Sequence, residues 1–205
     1  MNRTQIPLDV EGARRFHGHS CPGLTMGIRI AEIALREIGP HSADEEVVCI
    51  AETDHCAVDA IQYFTGCTAG KGNLIRRDHG KSVFTFIRRS DGKAIRISAR
   101  PDFWGKADPR EREIFDRMRA DQPVSDEDRQ YFQQSREDRI KAILNAPIEE
   151  LFEVRQVETD MPDKARILTS IACTECGEAT MSTRTRTFRG QPYCIPCFEA
   201  LTQKQ

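Results

Sequence analysis

The sequence predicts an α+β protein: a core with a mixed β-sheet flanked by helices, followed by a small cysteine module. Amphipathic helical stripes alternate with short apolar runs, and two β-type runs are joined across a turn sequence. Four of the eight cysteines fall in the last 33 of 205 residues, paired as C-x-x-C. That length accommodates one domain of ordinary size and an appendage.

From Pro22 to Ile38, the residues Leu24, Ile28, Ala31, Leu35 and Ile38 recur at spacings of four and three, the stripe of an amphipathic helix. Pro22 suits its first turn and Gly39-Pro40 stops it, so Phe16 to Cys21 reads as a loop at the helix N-terminus. Val47 to Ala51 reads as a buried strand. Thr53 or Asp54 then caps a second helix, which begins with His55 and Cys56 and runs to about Phe64. A glycine-rich loop, Gly66 to Gly72, leads into Ser82 to Arg88 and Ala94 to Ala99, a hairpin joined across Asp91-Gly92. From Asp108 to Leu144 the chain is highly charged, and Ile114, Phe115, Met118, Tyr131, Phe132, Ile140 and Ile143 give the period of two or three exposed helices. A β-like run, Leu151 to Val157, precedes the polar linker Glu158 to Lys164. The linker divides a core domain of residues 1–164 from a cysteine module of residues 165–205.

Thirty basic residues against thirty-two acidic ones leave a formal charge of −2, which supplies no global reason for nucleic acid or an anionic membrane as partner. No run approaches the roughly 18 apolar residues of a membrane helix, and Met1 to Val10 lacks a signal-peptide core. The chain therefore reads as cytoplasmic. Eight cysteines in a reducing compartment point to metal or thiol chemistry rather than disulfides.

The pairs Cys173-Thr-Glu-Cys176 and Cys194-Ile-Pro-Cys197 are separated by seventeen residues, within the spacing of four-cysteine zinc sites. Each C-x-x-C turn directs two sulfurs at one ion, and two such turns complete a tetrahedron with no open position. The expected cofactor is one structural Zn2+. About forty residues cannot bury a self-sufficient core, so the metal contributes to folding. Between the pairs, Thr183 to Phe188 alternates in β fashion and Gly190 turns the chain. Arg184, Arg186 and Arg189 alternate with threonines there, either as a basic stripe for phosphates or an acidic partner, or as a solvated strand face.

Phe16-His-Gly-His-Ser-Cys-Pro-Gly23 concentrates His17, His19 and Cys21 just before a helix, where unsatisfied N–H groups favour a thiolate. Asp54-His-Cys56, with Asp59 one turn on, opens the next helix, and Cys67 follows in the glycine loop. If both helix starts face one cleft, their imidazoles and thiols suit zinc with a position left for a ligand. A nucleophilic Cys21 activated by His17 or His19, a redox pair of Cys21 with Cys56 or Cys67, and a set of packed polar side chains are the other readings. The loop Gly66-Cys-Thr-Ala-Gly-Lys-Gly-Asn73 is no Walker A motif: three residues intervene before Gly70-Lys71, and Gly72 follows the lysine. Lys71 either attracts an anionic group there or is an ordinary solvated lysine.

With H-G-H-x-C-P-G at residues 17–23, G-C-T-x-G-K-G-N at residues 66–73 and the C-terminal cysteines, the chain resembles the FmdE family of formylmethanofuran dehydrogenase components. The resemblance implies a thioredoxin-like α+β core, an appended treble-clef-type zinc finger and an active-site cleft in the core. Carried over residue by residue, the cleft would use His17, His19, Cys21, Cys56, Asp59, Cys67 and Lys71, with His19, Cys21 and Cys56 able to hold a second metal. The family name refers to a molybdenum or tungsten enzyme of one-carbon metabolism, whose other subunits carry pterin and iron–sulfur clusters. The expected partners are such dehydrogenase subunits, a second copy of the chain and a small-molecule ligand. The rival expectations are a nucleic-acid or transcription-complex adaptor acting through the finger, and a non-catalytic scaffold subunit.

Overall fold

The computed structural model describes residues 8–103 and 108–203. The chain divides into two compact units, Met1–Lys164 and Ala165–Gln205. The first contains α1 (Val10–His17), α2 (Pro22–Glu37), β1 (Val47–Ala51), α3 (Ala57–Thr65), β2 (Leu74–Arg76), β3 (Val83–Arg88), β4 (Ala94–Ala99), α4 (Pro109–Arg119), α5 (Asp126–Asn145), α6 (Ile148–Leu151) and β5 (Phe152–Gln156). No helix among the described residues is long and apolar enough to cross a membrane.

The five strands form one sheet in the order β2-β1-β3-β4-β5. β1 and β2 are parallel and the other pairs antiparallel, so the sheet is mixed. All five residues of β1 are buried, as its uninterrupted apolar run requires of an inner strand. Along the strands, alternate side chains part to the two faces. Cys49, Ala51, Phe84, Phe86, Ile95 and Ile97 pack with Met26, Ile30 and Ile33 of α2 and Ile61 of α3. Ile50, Ile87 and Ala94 point to the opposite face, under Val157 and Met161. A separate cluster of Ala13, Leu24, Ile28, Ala60 and Phe64 joins α1, α2 and α3.

Several local expectations need correction. Phe16 and His17 lie in the last turn of α1, which ends at Gly18 with φ +91°. That helix has only two buried residues, Gly12 and Ala13, too few to leave a periodic stripe. β2 is a three-residue edge strand, too short to show a period in the sequence. Neither Thr53 nor Asp54 caps α3. Its N-cap is Cys56, Asp54 pairs instead with Arg76 at 2.6 Å, and the Ala57 N–H donates to His55 Nδ1 at 3.3 Å. The charged segment forms two helices, and they are not wholly exposed: Ile114, Ile140 and Ile143 are buried. Asp128 holds the pair together by accepting from Arg110 and Arg117 at 3.0 and 2.9 Å.

The glycine loop is organised around Asn73, whose side chain is fully buried. Its Nδ2 donates to Val47 O (2.9 Å) and Gly66 O (3.3 Å), and its Oδ1 accepts from Thr68 N (2.9 Å). Its main-chain carbonyl accepts from Cys49 N at 2.8 Å, which sets the register of β1 against β2.

The second unit consists of two hairpins and a helix: β6 (Ser170–Ala172) with β7 (Ala179–Met181), β8 (Thr185–Phe188) with β9 (Gln191–Cys194), then α7 (Ile195–Thr202). The arginines expected on one strand are dispersed. Arg184 ends a 3-10 turn, Arg186 lies in β8, and Arg189 occupies the following tight turn with φ +50° beside Gly190.

Asn73→Ala leaves three backbone groups, two of them buried, without their Asn73 side-chain partner. It should lower unfolding free energy by about 2–3 kcal/mol, read as a fall in the urea midpoint at unchanged slope. A midpoint equal to that of the parent would refute the structural role given to the loop.

Candidate functional site

Cys21 is the N-cap of α2, with extended backbone, and its Sγ accepts the Leu24 N–H at 3.2 Å. Cys56 is the N-cap of α3. A side chain on Gly23 would place Cβ 3.2 Å from Cys56 Cβ and 3.9 Å from Cys21 Sγ, so the glycine after Cys21-Pro22 lets the two helix starts close on each other. His17 enters from the last turn of α1, which is tied to α3 by the Tyr63 hydroxyl donating to Asp9 Oδ2 at 2.8 Å.

His17 Nδ1 lies 2.7 Å from Asp59 Oδ2, and its Nε2 lies 3.8 Å from Cys21 Sγ. Two ligands of one tetrahedral zinc, at ordinary Zn–N and Zn–S lengths, sit about 3.6 Å apart. The His19 ring packs near that of His17, with centroids 4.3 Å apart. One ligating atom from each of His17, His19, Cys21 and Cys56 falls within 4.8 Å of the others. Partial burial, then the charges of His17 and Arg136, lower the His19 pKa and favour the neutral imidazole. Burial and the neighbouring Cys21 raise that of Cys56.

A groove of about 580 Å³ opens beside this cluster, walled on the far side by α4 and α5.

In the second unit, Cys173 follows β6, Cys176 completes the first turn, Cys194 ends β9 and Cys197 lies in the first turn of α7. Their sulfurs fall within 4.8 Å of one another, and Cys176 and Cys194 are 3.9 Å apart. The edge of a tetrahedral ZnS4 unit is about 3.8 Å. Cys194 N donates to Cys173 Sγ at 3.3 Å, and the Cys176 and Cys194 N–H groups hold the Cys173 thiol down to about 6.

Residues 16–153 match the family described as FmdE, Molybdenum formylmethanofuran dehydrogenase operon. The chain belongs to the FmdE family. Residues 166–203 match a second family, the prokaryotic dksA/traR C4-type zinc finger. The FmdE-family chain is 33% identical over 191 residues to a protein of Archaeoglobus fulgidus named as a probable S-adenosyl-L-methionine-binding protein. That match takes in 90% of this chain and 51% of the relative, so the chain spans about half the length of the curated relative it matches. Its fold is also that of the crystal structure of an FmdE-like protein of the tungsten formylmethanofuran dehydrogenase type from Syntrophus aciditrophicus, with a TM-score of 0.62 at 22% identity over 93% of this chain and 90% of that one. The C-terminal cysteines form a structural zinc site, and the FmdE core carries a further Cys/His group.

The structure brings His17, His19, Cys21 and Cys56 together, with Asp59 behind His17. It does not bring Cys67 or Lys71 into that group. Cys67 is fully buried with Sγ donating to Val47 O at 3.4 Å, and burial pushes its thiol up to about 11. Lys71 Nζ donates to Ser42 O at 2.7 Å and Asp44 O at 3.2 Å, so the lysine ties two loops together. The groove-lining Arg112, Phe115, Phe132 and Arg136 are not apparent as site residues in the sequence. Their only signal there is the helical spacing of three and four that puts each arginine and phenylalanine on one face.

Cys194→Ser removes one of four thiolates from a unit in which the metal organises the fold. The variant should lose one zinc per chain and the chemical-shift dispersion of residues 165–205, while the core signals stay in place. Full zinc retention by elemental analysis would contradict the four-thiolate site.

Proposed function

We propose that the core of this FmdE-family chain binds a second zinc ion through Cys21, Cys56 and His17, and that the groove beside it admits a small ligand. The observation that supports this is the convergence of those donors, with His17 held in place by Asp59. A carboxylate behind a ligating imidazole fixes its tautomer and raises its basicity. Two thiolates and an imidazole also form a donor set that zinc uses when its fourth position stays open. His19, the exposed imidazole of the four, stands where it either completes the tetrahedron or yields to a ligand from the groove.

A zinc ion there would act as a Lewis acid toward that ligand. The chain's own residues set the rest. The Leu24 N–H donates to Cys21 Sγ and fixes its position at the start of α2, and Asp59 aims His17. Nucleophilic use of Cys21 is the lesser reading, because the same sulfur sits in a converging donor set.

We place the protein in the cytoplasm, where the thiols of both centres stay reduced. Its partners in this reading are molybdenum or tungsten dehydrogenase subunits, as the family description suggests, and a second copy of the chain. The Archaeoglobus relative's name makes S-adenosyl-L-methionine one candidate for the ligand of the groove. Its adenine is planar and its carboxylate would suit Arg112 and Arg136, which line the groove without a salt-bridge partner among the described residues, whereas its sulfonium and ammonium need acceptors elsewhere. The adaptor role is not better supported: Arg184, Arg186 and Arg189 fall in a 3-10 turn, a strand and a tight turn rather than along one strand.

Elemental analysis of the full chain purified without oxygen should give two zincs per chain, and one for Cys21→Ser/Cys56→Ser. Asp59→Asn should keep the site but weaken it about 10- to 100-fold in competition with a chelating dye. One zinc in the intact chain, unaffected by the double substitution, would sink the proposal and leave the scaffold role.

A further inference from the structure

We infer that the groove beside the core cluster binds a planar aromatic or heteroaromatic small molecule carrying an anionic group. This deepens the ligand reading above, yet the recognising side chains lie on α4 and α5 rather than in the cluster. The volume of about 580 Å³ lies in the range of small-molecule sites. One wall is formed by the starts of α2 and α3 at Cys21 and Cys56, so a bound molecule would extend from the cluster toward the helical wall.

On that wall Phe115 and Phe132 stack with ring centroids 6.2 Å apart and planes at 15°. Phe115 is 46% exposed, although it sits on the face α4 turns toward α5. Burying the rest of that ring against a flat guest is favourable, and an aromatic guest adds the offset-stacking preference of aromatic pairs.

The charge around this shelf is unbalanced. Arg110 and Arg117 are engaged by Asp128, and Arg139 by Glu111 at 2.7 Å. The acids lining the groove are already committed. Glu111 accepts from Ser135 Oγ and Arg139, while Asp108 accepts from the Tyr131 hydroxyl and from Arg110 N at the start of α4. Arg112 and Arg136 are left in the groove with no ion pair among the described residues, and the Arg136 guanidinium stands 5.6 Å from the Phe132 centroid. Two uncompensated guanidinium forks beside an aromatic shelf suit a carboxylate, sulfonate or phosphate on a ring system.

The test uses the zinc-loaded full chain and two dyes of the same ring skeleton, anilinonaphthalene sulfonate and its uncharged counterpart phenylnaphthylamine, titrated by fluorescence. The sulfonate should bind at one site about tenfold or more tightly than the neutral dye. Arg112→Ala/Arg136→Ala should erase that advantage, Arg112→Lys/Arg136→Lys should restore part of it, and Phe115→Ala/Phe132→Ala should weaken both dyes. Far-UV circular dichroism and zinc content, measured on each variant, separate loss of the groove from loss of fold or metal. If the intact chain held only one zinc, the core-metal proposal would fall while the dye data still judged the groove. Equal affinity for the two dyes, or sulfonate binding indifferent to the arginine substitutions in a folded variant, would overturn the inference.

Discussion

The close approach of α2 to α3 is the constraint on which the rest of the core depends. A Cβ on Gly27 would collide with Ala57 O and sit 2.8 Å from Ala60 Cβ, so the two helices meet with almost no side chain between them. Small residues at a crossing allow this, and larger ones would overpack it. One turn earlier, Gly23 meets Cys56 in the same way. The contact therefore brings the N-terminal ends of both helices to one place. There the two N-cap residues are cysteines, Cys21 and Cys56.

The sheet and the loops hold that contact in register. β1 ends at Ala51 and α3 begins at Ala57, so Cys56 emerges beyond the C-terminal end of an inner strand. The turn between them is fixed by Glu52, a buried carboxylate that accepts from Arg96 and lies 3.3 Å from His79 Nδ1. Those partners hold its carboxyl below the usual range despite burial. Farther along α2, Arg29 donates to Leu144 O at 3.2 Å and Ala146 O at 2.9 Å, satisfying carbonyls that the end of α5 would otherwise leave open. The helix that carries Cys21 thus also anchors the helix that carries Phe132 and Arg136.

What could be read from the sequence divides along physical lines. α2, β1 and the hairpin of β3 and β4 announce themselves because each buries a full apolar face, and burial imposes a period. The zinc module was legible for a different reason: four thiolates around one ion restrict spacing more tightly than packing does. α1 left no such trace, since Asp9 capping Gly12 N and bonding Tyr63 secures it rather than a hydrophobic stripe. The His17–Asp59 contact links residues 42 apart, which no local pattern can report. Cys67 and Lys71 illustrate the converse. Their residue types suit chemistry, but a thiol donating to Val47 O and an ammonium bridging two carbonyls are occupied with structure. A motif shows which donors are near in sequence, and only the fold shows which of them already have partners.

The two sulfur centres stand in opposite relation to the fold. Among the described residues of the second unit, only Cys173 and Cys194 are buried. With so little apolar area removed from water, the metal must supply much of that unit's folding free energy. The first unit has a sheet packed under α2 and α3 with a large buried apolar cluster, and its Cys/His group lies beside that core. Its Cys/His side chains include an exposed imidazole and face a groove, whereas the finger supplies four sulfurs, a full tetrahedral set, with Cys176 itself exposed. A metal that builds a unit needs all its ligands from the protein, whereas a Cys/His group on a packed scaffold is free to leave one side to a ligand.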